Sequence, residues 1–423
     1  AAAWCLDGEN SRNHSAAFGL EDRETVRLTL VTMNKNLSIR DKYLPFGQPS
    51  FSDAEIDAVS RVLRSGWVGM GPETVAFERE LAAFVGAEHV IAVNSCTSAL
   101  FLSLRALGIG PGDEVVVPSL TWCSTANAAL YLGATPIFCD VELGTMSASP
   151  ATILAAVTDR TKAIIHVHYG GLASDMTALR AVLPPRIAIV EDAAHALGAT
   201  YPDGSPVGSS GNLTCFSFYA NKNLSTGDGG AVAVRDPELA EKVRLASHQG
   251  LSSDAWKRFS HPMAALTPTI AELGYKMNFT DLNASIGRVQ LRRQPEFHDR
   301  RLHIATQYVD RLAVGNGSIR FQDAMTSIGH ARHLFVIRVP LKEMEISRNE
   351  MLLELRARNI GASIHYPPIH TLPLYQPYVK MSLPNVEQLM NDIMTLPIGA
   401  SVTDEDVNYV TDHVLEMIEA ARK

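Results

Sequence analysis

The chain has 423 residues, enough for two domains or for one large domain with a smaller appendage, and its 46% hydrophobic and 19% charged residues describe an ordinary globular protein rather than a disordered one. A net charge of −8 offers no basic face to neutralise phosphates, which argues against a nucleic-acid partner, and no apolar run approaches a membrane span. The five cysteines (Cys5, Cys96, Cys123, Cys139, Cys215) are odd in number and lack a C-x-x-C pair, and four of them sit in apolar contexts, which suits buried thiols in a reducing, cytoplasmic setting better than a disulfide framework or a zinc site.

Residues 1–43 do not resemble the rest. Ala1 to Thr32 shows no sustained periodicity and no secretion-signal pattern, Met33 is a candidate natural start, and the stretch is expected to be peripheral. Order begins near Leu44. Ser52-Asp53-Ala54-Glu55 reads as a capping box, with Phe51 and Ile56 placed for a hydrophobic staple. Ile56, Val59, Val62 and Leu63 predict one apolar helix face. The turn S-G-W-V-G-M-G-P (65–72) leads to a second helix, from about Glu73 to Val85.

Strand-like runs then follow at His89–Asn94, Glu114–Pro118, Thr135–Val141, Ala163–His168, Ile187–Asp192, Leu213–Tyr219 and Ala231–Arg235, with helical patterns in most of the gaps. Near-continuous apolar strands separated by helices predict an α/β fold with a mainly parallel sheet, covered on both faces and binding ligands at the carboxyl ends of its strands. Beyond Arg288 the texture changes. Arg292-Arg293 and Arg300-Arg301 suggest a long polar helix with a solvated face, hinging to a second domain with strands at Phe335–Val339 and Ser363–His365. A last helix, capped by Thr403-Asp404-Glu405-Asp406, puts Val407, Val410, Val414 and Ile418 on one face. The expected organisation is a peripheral 1–43, a large unit 44–290 and a small unit 291–423.

The strand ends carry the chemistry. Lys222 follows an apolar, aromatic run and precedes the return Gly227-Asp228-Gly229-Gly230. A lysine is rarely buried unpaired, and a desolvated one becomes a nucleophile toward aldehydes, although a lone lysine on such a loop is more often plain surface. Asn94-Ser95-Cys96-Thr97 ends a strand and opens a helix, where free N–H groups make either an anion site or an ordinary N-cap. Trp122 is either core or a stacking surface. Asp192 ends a wholly apolar strand and needs a cationic or hydrogen-bonding partner, unless it only caps the next helix; His195 lies three residues on, and Ser217 five before Lys222. A lysine for an aldehyde, an acid for a ring nitrogen, an aromatic for a ring face and hydroxyls for a phosphate together describe a pyridoxal phosphate site.

E-D-A-A-H-A-L-G-A (191–199), F-S-F-Y-A-N-K-N-L-S-T-G-D-G-G (216–230) and G-Y-K-M-N-F-T-D-L-N-A-S-I-G (274–287) resemble the sugar aminotransferases of the DegT/DnrJ/EryC1/StrS family, and residues 65–72, 117–127 and 165–171 match as well. The likeness runs from about Leu44 to the C-terminus. Trp122 and the long segment before Gly274 look closest to enzymes that aminate a UDP-linked 4-keto pentose for lipid A modification. The resemblance implies the fold-type-I aminotransferase architecture and a homodimer with active sites at the subunit interface. It further implies that Lys222 is the Schiff-base lysine and proton shuttle, that Asp192 pairs with the pyridinium nitrogen, that Trp122 stacks on the ring and that His195 lies near the ring hydroxyl. The phosphate would be held by Thr97, the Cys96 backbone and Ser217, with Asn278 reaching in from the partner subunit. L-glutamate would be the donor and a nucleotide-linked ketosugar the acceptor.

The sequence departs from the family pattern at Cys96, where Gly or Ala is frequent, at Asp228, where Glu is frequent, and at Gly69-Met70, where hydroxylated residues often contact the sugar. His365 and Tyr366 match a substrate-side motif loosely and are equally a structural strand end. A cyclitol (scyllo-inosose-type) aminotransferase fits the same motifs. The ketosugar 3-dehydratase branch resembles a variant with His at the lysine position, which Lys222 argues against. A non-catalytic regulator that binds pyridoxal phosphate is the reading from another class, opposed by the intact set of Lys222, Asp192, Ser217 and Asn278.

Overall fold

The computed structural model describes residues 37–251, 269–313 and 319–422. Residues 1–36, with Met33 and Cys5, and most of the long segment before Gly274 lie outside these. Two helices lead in, α1 (Asp53–Ser65) and α2 (Pro72–Val85). The α/β body follows as β1 (His89–Val93), α3 (Cys96–Ala106), β2 (Glu114–Pro118), α4 (Cys123–Leu130), β3 (Thr135–Cys139), α5 (Pro150–Ala156), β4 (Thr161–Val167), α6 (Met176–Val182), β5 (Ala188–Asp192), β6 (Leu213–Ser217), β7 (Gly230–Val234) and α7 (Pro237–Ser247). The expected strands appear within a few residues of their predicted ends.

These strands form one seven-stranded sheet in the order β1-β7-β6-β5-β4-β2-β3. All run parallel except β7, which is antiparallel to both β1 and β6. Side chains alternate across each strand, so Val115 and Val117 of β2 enter one core with Ile165, Val190 and Val232, while Val116 enters the opposite core with Ile164, Ile189 and Phe216. Burial on both faces explains why the strands read as unbroken apolar runs.

The chain continues through α8 (Asp281–Arg292) and α9 (Gln294–Ala313) into a three-stranded antiparallel sheet of β8 (Arg320–Phe321), β9 (Phe335–Arg338) and β10 (Ile393–Leu396), with α10 (Arg348–Ala357), α11 (Pro384–Asp392) and α12 (Asp404–Ala420). A third core fills this part, and Leu44, hydrogen-bonded to Asn359, contributes to it. Val407, Val410, Val414 and Ile418 of α12 are all buried, as their spacing predicts.

Four expectations need correction. Ser363–His365 is not a strand; only Ser363 bridges to Thr395, because the chain turns away into the cleft at His365. Ile56 and Leu63 are exposed, and α1 buries Glu55, Ala58 and Val62 instead. Glu55 can enter because Gln290 and Arg293 bond it at 2.7 and 3.1 Å. Phe51 is exposed too, so the staple with Ile56 does not form, although the Ser52–Glu55 capping box does. Lastly, Arg301 is not on a solvated face: it is only 5% exposed, donates to the Arg332 carbonyl at 3.0 Å, and burial pushes its guanidinium down to about 10. Arg292 is exposed and Arg300 pairs with Asp404, so these two keep the surface roles, while Arg293 turns in to the buried Glu55.

Candidate active site

A cleft of about 510 Å³ opens at the carboxyl ends of β5 and β6, lined also by the segment after β2 and the start of α3. Because β7 runs against its neighbours, its amino-terminal end, Gly230, reaches this same edge. A Cβ on Gly230 would stand 2.5 Å from the Ser95 carbonyl carbon and 2.6 Å from the Cys96 nitrogen, so only glycine lets β7 pass this close to the first turn of α3. Ser95 caps α3 by accepting from Ser98 N–H at 3.1 Å. The N–H groups of Cys96 and Thr97 belong to that first turn and have no acceptor within the helix, which leaves a ready anion cup beside the Ser217 hydroxyl.

Asp192, 6% exposed, forms the floor. Its carboxylate accepts from the Thr125 hydroxyl at 2.8 Å and from Ala194 N–H at 3.2 Å, neither of them cationic. Thr125 is oriented in turn by Thr121 at 2.8 Å. Burial outweighs these hydrogen bonds and the pull of Lys222, so the carboxyl lies above its ordinary range. The side chain therefore has room for, and gains from, a cationic N–H donor.

Lys222 sits in a turn, its N–H bonded to the Tyr219 carbonyl at 2.9 Å. The loop that carries it is tied down from behind, where Gln294 donates to the Asn223 carbonyl at 3.0 Å and Asn283 to the Thr226 carbonyl at 2.9 Å. Loss of water lowers the lysine to about 8, against the opposing attraction of Cys96 and Asp192. This is the depressed amine that attack on an aldehyde requires.

The upper wall is aromatic and imidazole-rich. Trp122 is 59% exposed at the N-cap of α4, which removes the core reading and leaves its face free, 5.6 Å from the Tyr366 ring. His195 Nδ1 accepts from Gly170 N–H at 3.3 Å, so Nε2 carries the proton and donates to the Tyr366 hydroxyl at 3.0 Å. His365 lines the cleft with its Nδ1 3.1 Å from the Thr395 hydroxyl.

Cys96, Thr97, Trp122, Asp192, His195, Ser217, Lys222, His365 and Tyr366 thus line one cleft. Asn278 does not line it; it bridges Val93 and donates to the Phe279 carbonyl. Sequence reasoning missed Thr125 and His333, whose Nε2 is 3.3 Å from the Lys222 Nζ. The one available signal for His333 was a polar residue opening the apolar run of β9 from far along the chain.

A buried carboxylate lacking a cation, a depressed lysine, a free aromatic face and an anion cup built from a helix start are the donor set a pyridoxal phosphate needs. Fold and site together define a pyridoxal phosphate-dependent aminotransferase. Comparison with known proteins narrows the class. The chain belongs to the DegT/DnrJ/EryC1/StrS aminotransferase family, whose model matches residues 49–415. It is 42% identical over 390 residues to the spore coat polysaccharide biosynthesis protein SpsC of Bacillus subtilis (strain 168), spanning 90% of this chain and 99% of that one. Among solved structures, the aminotransferase TlmJ from Streptoalloteichus hindustanus superposes with a TM-score of 0.82 at 34% identity, covering 89% of this chain and 99% of its own. Spr1654 from Streptococcus pneumoniae, solved in PMP and PLP forms, reaches 0.82 at 32% identity for the PMP form, covering 89% of this chain and 99% of its own. The protein is a sugar aminotransferase that uses pyridoxal phosphate.

Proposed function

We propose that this aminotransferase takes the amino group of L-glutamate and delivers it to a nucleotide-linked ketosugar, in two half-reactions that share one cleft. One observation carries the reading: the Lys222 amine and the Asp192 carboxylate, both deprived of water, face the same cleft beneath the open ring of Trp122. The likeness to a spore coat polysaccharide protein supports an amino sugar as the product. The narrower likeness to enzymes acting on a UDP-linked 4-keto pentose rests on Trp122 and the segment before Gly274.

Bound pyridoxal phosphate supplies an aldehyde carbon that condenses with amines and a ring that withdraws electrons from the adjoining C–H bond. Asp192 would accept from the protonated ring nitrogen and keep it charged. Lys222 would hold the aldehyde carbon until the amino donor displaces it, then carry a proton between the donor carbon and the cofactor carbon. Thr97, Ser217 and the N–H groups at the start of α3 would grip the phosphate, Trp122 would cover the ring, and His195 would lie on its hydroxyl side. His365 and Tyr366 would meet the sugar.

The working form is proposed to be a homodimer with shared sites, since Asn278 stands outside its own cleft and Ile56 and Leu63, one above the other on α1, are left exposed. The unpaired described thiols support a cytoplasmic location. Residues 44–290 and 291–423 are proposed as the two units, a division supported by the helix break between α8 and α9.

Isotopically labelled L-glutamate, offered with a panel of nucleotide-linked ketosugars and free ketocyclitols, tests the reading by mass spectrometry of the products. Label in an amino sugar nucleotide is the expected result. Label only in an aminocyclitol would overturn it in favour of a cyclitol aminotransferase.

A further inference from the structure

Lys222 has a neighbour for which the chemistry above provides no task. His333 is 3% exposed, and its Nε2 lies 3.3 Å from the lysine Nζ. Its other ring nitrogen, Nδ1, is 3.3 Å from Asn223 Oδ1. The Asn223 amide is oriented by its own second bond, because Nδ2 donates to the Ala331 carbonyl at 2.8 Å. The atom turned to the histidine is therefore the amide oxygen, which only accepts. Nδ1 of His333 must carry the proton, and Nε2 presents a lone pair to the lysine. Donors and acceptors match along the whole row, from Lys222 to His333 to Asn223 to the Ala331 carbonyl.

The placement is built from two sides. Asn223 is the residue after Lys222, so the loop that carries the lysine also fixes the tautomer of the histidine that meets it. On the other side, Gly170 and Gly171 receive the segment around His333, their carbonyls accepting from Leu334 and Ala331 N–H at 3.1 and 2.9 Å. Gly171 has φ 104°, and a Cβ there would lie 2.8 Å from the Arg332 nitrogen and 2.9 Å from the His195 carbonyl oxygen. Only glycine lets these two strings of backbone meet.

The ring is kept neutral. Burial, then the positive charge of Lys222, the neighbouring imidazole of His195, the positive charge of Arg301 and the imidazole of His365, hold His333 well below the usual imidazole range. Lys222 itself faces Cys96 from α3, Asp192 from β5, and the imidazoles of His195, His333 and His365.

We propose that His333 is a positioning residue for Lys222: its Nε2 lone pair accepts an N–H of the amine and holds the lysine in the cleft whenever it is not bonded to the cofactor. The proposal rests on the reading of Lys222 as the residue that bonds the cofactor. A free lysine side chain otherwise spreads over several rotamers and loses that freedom each time it must be fixed again. An N–H pledged to His333 also turns the nitrogen lone pair of the neutral amine away from the ring, which leaves it free to react.

The test uses the full-length protein. Cofactor is stripped, and the pH dependence of acetimidate labelling at Lys222 is read by peptide mass spectrometry; cofactor is then restored, and the return of its visible absorption is timed. Wild type should label with a midpoint of about 8. His333→Phe removes a hydrogen bond to the charged form, so the midpoint should fall below that of wild type and the absorption should return several-fold more slowly. His333→Gln, whose side-chain oxygen can accept, should move both back toward wild type. Asn223→Leu frees the ring to turn an N–H toward the lysine and should copy His333→Phe, even if that variant does not fold. A midpoint that stays at about 8 in folded His333→Phe or Asn223→Leu overturns the proposal. Lys222→Ala separates this failure from the deeper one: if it shows the same visible absorption as wild type, the reading of Lys222 is wrong and the proposal falls with it.

Discussion

At the scale of single residues, the site works by removing water from two groups of opposite charge without letting them neutralise each other. Asp192 is stabilised by a hydroxyl and a backbone N–H rather than by an ion pair, so its charge remains available to a ligand. Asp192→Asn keeps the shape and removes that charge. Turnover should fall by about a hundredfold or more, the range measured when a preorganised electrostatic partner is removed, while the visible absorption of bound cofactor persists. A variant with near-normal turnover would show that the carboxylate is a cap for the following loop and no more. Asp192 stood out in the sequence because a carboxylate ending an apolar strand needs an explanation, and Lys222, five residues past the end of β6, stood out only beside it. His333 was not legible, since its importance comes from a contact 111 positions away in sequence, which no local pattern encodes. Thr125 was hidden for the same reason, its hydroxyl on α4 being bonded to the carboxylate of Asp192, 67 positions on at the end of β5.

At the scale of elements, the reversed direction of β7 shapes the cleft. It brings Gly230 against the first turn of α3, where any side chain would collide with backbone that cannot give way. Gly230→Ala should therefore cost about 1–3 kcal/mol of stability, the usual price of overpacking, and weaken cofactor binding by at least about tenfold as the start of α3 shifts. Wild-type thermal midpoint and cofactor affinity would show that the anion cup lies elsewhere. Strand positions were readable because burial on both faces leaves an apolar run, and α12 was readable because capping and periodicity agree. The outer face of α1 misled, since Ile56 and Leu63 have the spacing of a core stripe but are exposed in one chain. Apolar spacing alone does not say whether a stripe faces the core or is left exposed. Arg301 misled in the opposite direction, as the Arg332 carbonyl rather than a carboxylate receives it.

At the scale of the whole molecule, Asn278 and the exposed residues of α1 bear on the same question. If Asn278 completes the partner's cleft, Lys222→Ala and Asn278→Ala, each inactive alone, should complement when unfolded together and refolded. Half of the dimers would then be mixed, each with one intact site, giving about a quarter of wild-type turnover. No recovery would place Asn278 in a structural role within its own chain. The family was legible because its motifs lie at the strand ends, where fold and chemistry constrain the same residues. The sugar was not, because no motif in the chain spells out a sugar's shape, and His365 and Tyr366, the residues proposed to meet it, match their motif only loosely.

Lys222 is proposed to hold the cofactor's aldehyde carbon until the amino donor displaces it, so that the donor's amino group would pass to the cofactor and not to the lysine. The most direct test is the visible absorption spectrum of the purified protein loaded with pyridoxal phosphate, before and after L-glutamate, beside Lys222→Ala. Wild type should show a visible band that glutamate discharges, and in the variant the band should be absent or unresponsive. The same band in Lys222→Ala, discharged by glutamate at the wild-type rate, would contradict it.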